Sequence, residues 1–155
     1  MIVFCRIDDR LIHGQVVTTW VNVKNIESII VVNDKVANDK IQKNILAMAA
    51  PNGIKVHAFG VEQFAEITKK QPINKRTMLL FTNNIDVLRL VNLGVEIKEL
   101  NIGGMRFQEG REQLTKALSV TPEEKAAFKE LLDKGLEITI QMVPNDEAKN
   151  IKEVI

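Results

Sequence analysis

Arg6 to Val16, written RIDDRLIHGQV, gathers two arginines, two aspartates and one of the chain's two histidines near its amino terminus. An imidazole is a nucleophile that can take a phosphoryl group and hand it on. His13 stands three positions after Arg10 and directly before Gly14. The planar fork of Arg10 suits phosphate oxygens, and Gly14 lets a backbone approach them closely. Either Asp8 or Asp9 could hold the His13 ring by bonding the nitrogen not used for attack. Gly103 and Gly104, in Asn101-Ile102-Gly103-Gly104, offer a second close-approach loop. Phosphoryl transfer is mostly positioning and charge stabilisation, so one ring nitrogen and a few donors are enough.

Such residues need elements to bring them together. Ile2-Val3-Phe4-Cys5 reads as a first strand and VVTTWVNV, from Val16, as a helix, which puts the charged run on the turn between them. Further strands are expected at Ser28–Asn33, Lys55–Phe59, Met78–Thr82 and Glu99–Ile102, with a weaker one at Thr115–Val120 and a last one at Leu136–Val143. Helices are expected from Asp34, as N-cap, to about Ala50, and over Val61–Lys70 and Ile85–Asn92. Thr121-Pro122-Glu123-Glu124 has the form of a capping box opening another helix, and Pro144–Ile155 is read as a short closing helix. Repeated strand-helix alternation predicts an α/β fold, a doubly wound and mostly parallel sheet of about seven strands with helices on both faces. In that fold the ligand lies outside the carboxyl ends of the strands. Asp8 to Gln15, Asn33-Asp34, Thr82-Asn83 and Asn101 to Gly104 then share one edge, which adds Asp34 and Thr82 to the candidate residues.

Composition bounds the alternatives. The chain has 155 residues, 45% of them hydrophobic and 26% charged, as in a globular protein with a buried core, and 1–155 reads as a single domain. With 21 Lys+Arg against 20 Asp+Glu, the net charge of +1 gives no overall field for nucleic acid, so none is expected as partner. One cysteine excludes an internal disulfide and a multi-cysteine zinc site; no metal or cofactor is expected, and Cys5 reads as a buried small hydrophobe. His57 lies within a predicted strand without an acid, cysteine or second histidine nearby and reads as structural. Trp20 reads mainly as packing. No stretch approaches ~18 consecutive apolar residues, and a cytoplasmic protein is expected. A dinucleotide enzyme needs G-x-G-x-x-G after the first strand, where only Gly14 occurs, and the P-loop pattern is absent. A receiver-like signalling domain phosphorylated on Asp is the alternative suggested by Asp8-Asp9, although the third strand ends in Phe59-Gly60 rather than in an aspartate.

The segment RIDDRLIHGQV, the following Trp20, Val32-Asn33-Asp34 with Ala37-Asn38-Asp39, and Asn101-Ile102-Gly103-Gly104-Met105 together resemble the IIB component of the mannose/fructose/sorbose family of bacterial sugar phosphotransferase systems, over essentially the whole chain. The resemblance implies a cytoplasmic phosphocarrier peripherally associated with the membrane. His13 would accept a phosphoryl group from a phosphohistidine on a IIA component. It would pass that group to a sugar, of mannose, fructose, sorbose or amino-sugar type, imported through the membrane components IIC and IID. The resemblance further implies phosphorylation on Nδ1 with Nε2 left for a neighbour, support of the phosphate by Arg10, IIA as a separate chain, and a homodimer as one assembly open to the chain. Trp20, Phe107 and Arg111 are expected at the rim of the contact with IIA.

Overall fold

A computed structural model describes residues 1–155. Its main sheet has seven strands, built around β1 (Ile2–Asp8), β2 (Ser28–Val32), β3 (Lys55–Phe59), β4 (Thr77–Phe81), β5 (Glu99–Gly104), β8 (Glu137–Ile140) and β9 (Lys149–Asn150), in the order β3-β2-β4-β1-β5-β8-β9. All neighbours pair in parallel except β8 and β9. A separate two-stranded piece joins β6 (Glu112–Gln113) to β7 (Ser119–Val120).

The helices divide between the faces according to which apolar side chains they bury. Val17 and Val21 of α1 (Gly14–Lys24), Val36 of α2 (Asp34–Ala37) and Leu46 of α3 (Lys40–Ala49) join Ile29, Val31, Met78 and Leu80 in one core. Phe64 of α4 (Val61–Lys70), Leu90 of α5 (Asn84–Asn92) and Phe128 of α6 (Pro122–Asp133) pack on Ile7, Leu79, Phe81 and Ile102 in the other. The expected doubly wound α/β sheet is therefore present. The connection leaving β1 runs to one face, while those leaving its neighbours β4 and β5 run to the other, which makes the end of β1 a topological switch point.

Four expectations are corrected. The first strand reaches Asp8 rather than ending at Cys5, because Cys5 and Ile7 point into one core while Arg6 and Asp8 alternate onto the opposite face and pair there. The helix expected to run from an Asp34 cap to Ala50 is two helices: Asn33 caps α2 by accepting from the Val36 amide, and Asp39 caps α3 by accepting from that of Gln42. Short polar side chains that bond nearby amides favour such ends over continuation. The strand expected at Thr115–Val120 shrinks to Ser119–Val120 and pairs outside the main sheet. Pro144–Ile155 holds the edge strand β9 and a 3-10 turn at Ile151–Glu153 instead of a closing helix. There Gln141 donates to the carbonyls of Pro144 and Asp146, which fixes a tight return after β8. The box at Thr121 forms as expected, with the Thr121 hydroxyl accepting from the Glu124 amide and the Glu124 carboxylate from the Thr121 amide.

Candidate active site

The turn after β1 is shaped by its own backbone and anchored by its two apolar residues. The Leu11 amide donates to the Asp8 carbonyl at 2.9 Å, and the turn places Leu11 at φ 58, a left-handed conformation costly for a branched side chain. Leu11 and Ile12, both buried, press into the core beneath α1 and hold that conformation. The chain then passes through His13, extended at φ −148, and Gly14, at φ 51, into α1. His13 makes no side-chain cap bond, and the first amides of any helix lack intrahelical partners, so this helix start is free to meet an anion.

Asp8 stands at the centre of what the turn presents. It is 1% exposed, and its Oδ2 takes a hydrogen bond from His13 Nε2 at 3.0 Å. Its Oδ1 accepts from the Arg10 amide at 3.1 Å and from Arg10 Nε at 3.4 Å. Burial pushes the Asp8 carboxyl up, but the hydrogen bonds from His13 and the Arg10 amide and the charge of Arg6 outweigh it, leaving the group below the usual carboxylate value. An ionised carboxylate only accepts, so in the neutral imidazole the proton lies on Nε2 and Nδ1 keeps its lone pair. Nδ1 has no hydrogen-bond partner in the protein; the His13 side chain is 26% exposed and that of Arg10 35%.

The other residues singled out in the sequence take different places. Asp9 faces away from the ring, its Oδ2 accepting from the amide and Nε of Arg106, which ties the turn to the loop after β5. Gly104 adjoins Asp8 and Arg10, and its carbonyl accepts from the Asp9 amide at 3.0 Å. Gly103 leaves space for Arg6, whose guanidinium a Cβ there would overlap. Thr82 is bonded by the side-chain amides of Asn33 and Asn83, and Asp34 accepts from the Val61 amide and from Arg89. The structure thus brings together His13, Asp8, Arg10, Gly14 and Gly104, and turns Asp9, Asp34 and Thr82 to neighbouring loops. Cys5 is buried, with its thiol pushed up to about 12, and His57 is exposed on the edge strand β3. Trp20, read mainly as packing, is 3% exposed, stacks on Phe4 and donates to the Met142 carbonyl, which takes it away from the rim where it was also expected. Phe107 is exposed, while Arg111 is paired with Glu124. The two adjacent acids go to different partners, which leaves no joint cation site of the kind a receiver-like domain requires.

Arg6 was not among the candidates. It is 1% exposed, with Nη2 donating to Asp8 Oδ2 at 3.2 Å and Nη1 to Asn101 Oδ1 at 2.6 Å and the Gln141 carbonyl at 3.2 Å. The available sequence signal was its alternation with Ile7 and Asp8, which places Arg6 and Asp8 on one strand face. A cavity of about 860 Å³ lies along the starts of β1 and β5 and is lined by none of Asp8, Arg10 and His13. A group exchanged between macromolecules has to sit on an exposed edge rather than in such a cleft.

Fold and sequence together are those of a sugar phosphotransferase-system component. More narrowly, the chain belongs to the sorbose subfamily of phosphotransferase-system IIB components, whose family model matches residues 2–155. It is 43% identical to the sorbose-specific EIIB component of Klebsiella pneumoniae over 99% of this chain and 94% of that one. The crystal structure of that IIB domain superposes with a TM-score of 0.94, covering the same shares. The mannose-specific EIIAB component of Escherichia coli K12 is 42% identical over 97% of this chain but only 47% of its own length. Membership in this family sets aside the receiver-like alternative. No helix is long and apolar enough to cross a membrane.

Proposed function

We propose that His13 is the phosphoryl acceptor of this IIB component and that the group is carried on Nδ1. The observation that carries this reading is the Asp8–His13 bond at 3.0 Å, which engages Nε2 and leaves Nδ1 as the nucleophile at an exposed helix start. In the first step the Nδ1 lone pair forms a bond to phosphorus as the donor's own N–P bond breaks, and that electron pair returns to the donor ring. Arg10, exposed on the same turn, supplies charge and a planar fork for the phosphate oxygens, and the unpaired amides opening α1 supply further donors.

The donor in this reading is a phosphohistidine of a IIA component, and the group passes onward to a sugar imported by the IIC and IID membrane components. The joined name of the Escherichia coli mannose EIIAB relative supports IIA as the donor. Direct transfer between two rings requires both to reach one phosphorus, so IIA docks over the carboxyl edge that carries His13. That places the protein on the cytoplasmic side of its membrane components, against which it docks peripherally.

Incubation with the general phosphotransferase proteins, IIA and labelled phosphoenolpyruvate tests this. Wild type and His57→Ala are expected to take label that is lost in acid and survives alkali, while His13→Ala takes none. Label on His13→Ala, or label lost in alkali as well as in acid, contradicts the assignment.

A further inference from the structure

We infer that Arg6 is a positioning residue that sets the proton affinity of the His13–Asp8 pair, and thereby how readily His13 takes up and releases its phosphoryl group. The second half of this statement rests on the function proposed above; the first does not.

The geometry that carries it is the sharing of one oxygen. Asp8 Oδ2 accepts from His13 Nε2 at 3.0 Å and from Arg6 Nη2 at 3.2 Å, while Oδ1 is occupied by the Arg10 amide and Nε. Arg6 is held at both terminal nitrogens, while its buried Nε has no partner. Its guanidinium lies 5.5 Å from the centroid of the Trp20 ring, Asn101 and the Gln141 carbonyl take Nη1, and Gly103 leaves the volume it fills. Asp8 is the only carboxylate that touches it. An arginine buried with a single counter-ion carries a large desolvation cost and contributes little net stability, so packing alone is a poor reason for it. Its charge, however, acts on Asp8 with little screening.

That charge has two effects on His13. With the hydrogen bonds from His13 and the Arg10 amide, it helps keep Asp8 ionised despite burial, so Asp8 remains an acceptor for Nε2–H. It also limits how strongly Asp8 attracts positive charge on the ring. When Nδ1 bonds phosphorus, Nε2–H stays in place and the ring becomes a phosphoimidazolium beside the carboxylate. When the phosphoryl group leaves, the electron pair of the N–P bond returns to Nδ1. A carboxylate without Arg6 would hold the cationic ring more firmly. A proton would then block Nδ1 at neutral pH, and the phosphorylated ring would release its group more slowly. The remaining charges around the pair are Arg10 on the turn and the Asp9–Arg106 ion pair; β5 and β8 contribute only the neutral Asn101 and the Gln141 carbonyl.

The test is titration of His13 by ¹⁵N NMR in the full chain, with no phosphoryl donor present, for wild type, Arg6→Gln, Arg6→Lys and Gly103→Ala. Removing the cation is expected to raise the apparent pKa of the His13–Asp8 pair by about one unit, within the range produced by a single neighbouring charge. Arg6→Lys should restore most of the wild-type value. Gly103→Ala, which keeps every charge but displaces the guanidinium, should shift it in the same direction. With phospho-IIA, the pH profile of phosphoryl uptake by Arg6→Gln should move up correspondingly and release should slow about tenfold. His57 is the internal control and should not move. A folded Arg6→Gln in which His13 titrates as in wild type overturns the inference. If Arg6→Gln does not fold, Gly103→Ala decides by the same readings. A wild type that takes no label overturns the proposed function, while the titration still judges Arg6.

Discussion

A single carboxylate determines which nitrogen of His13 can react. Asp8 accepts a hydrogen bond from His13 Nε2 and others from Arg10, so orientation of the ring and placement of the arginine have a common origin. The side chain of Arg10 is held to Asp8 only through a 3.4 Å contact at Nε and is 35% exposed, which leaves its terminal nitrogens open to a phosphate. Arg10→Lys keeps the charge but loses the planar fork, and we expect phosphoryl transfer to slow roughly tenfold or more with the fold intact. Unchanged rates in both directions would reduce Arg10 to a surface charge. Residue types and spacing were enough to single out His13, Arg10 and a ring-holding acid. Which acid it was could not be read from adjacent identical residues; it depends on strand phase, which turns Asp8 inward to the ring and Asp9 outward to Arg106. Arg6 was illegible for a different reason. Its burial depends on Gly103, Asn101 and Gln141, which stand close to it only after the sheet has formed.

The turn works because the elements around it are rigid. Ile7 of β1 lies opposite both Phe81 and Ile102, and the pairing with β5 then slips by one residue to set Asp8 opposite Gly104. Within the turn the left-handed Leu11 is held by its buried side chain together with the bond from its amide to the Asp8 carbonyl. Leu11→Ala removes that anchor, and the expected cost is about 2–5 kcal/mol, as for other buried leucines, together with faster amide exchange in residues 9–14. A urea midpoint and exchange rates like those of wild type would show that the turn holds itself. At this scale the strong periodic elements were legible, β3 and α4 to the residue, because clear breakers bound them: Pro51-Asn52-Gly53 before β3, and Gly60 before α4. The α2–α3 break and the C-terminal hairpin were not. They are decided by side-chain bonds from Asn33, Asp39 and Gln141 that compete closely with helix continuation.

Over the whole molecule, Asp8 contributes to the acid limb of stability, with Asp34 shifted in the same direction, and Cys5 to the alkaline limb. Asp8 has a folded value below its unfolded one of ~3.9, so its contribution is present above that pH and is lost as pH falls through the folded value. The Cys5 thiol, pushed up to about 12 by burial, contributes below its unfolded value of ~8.5 and loses that contribution as pH rises from there toward the folded value. The chain has no tyrosine, which removes the other common source of an alkaline transition near that range. Urea midpoints are therefore expected to be level between about pH 5 and 8 and to fall on both sides, with Cys5→Ala flattening the alkaline limb. An alkaline limb unaltered in Cys5→Ala would assign it to other groups.

The account turns on one atom. Phosphorylation of ¹⁵N-labelled protein by phospho-IIA, followed by long-range ¹H–¹⁵N correlation of the histidine rings at alkaline pH, reads directly which nitrogen bears phosphorus. The predicted result is a shift and a phosphorus coupling at Nδ1 of His13, with Nε2 of the same ring free of phosphorus and with His57 unaffected. Phosphorus on Nε2 of His13, or on any other residue, would contradict the role assigned to Asp8 and the mechanism built on it.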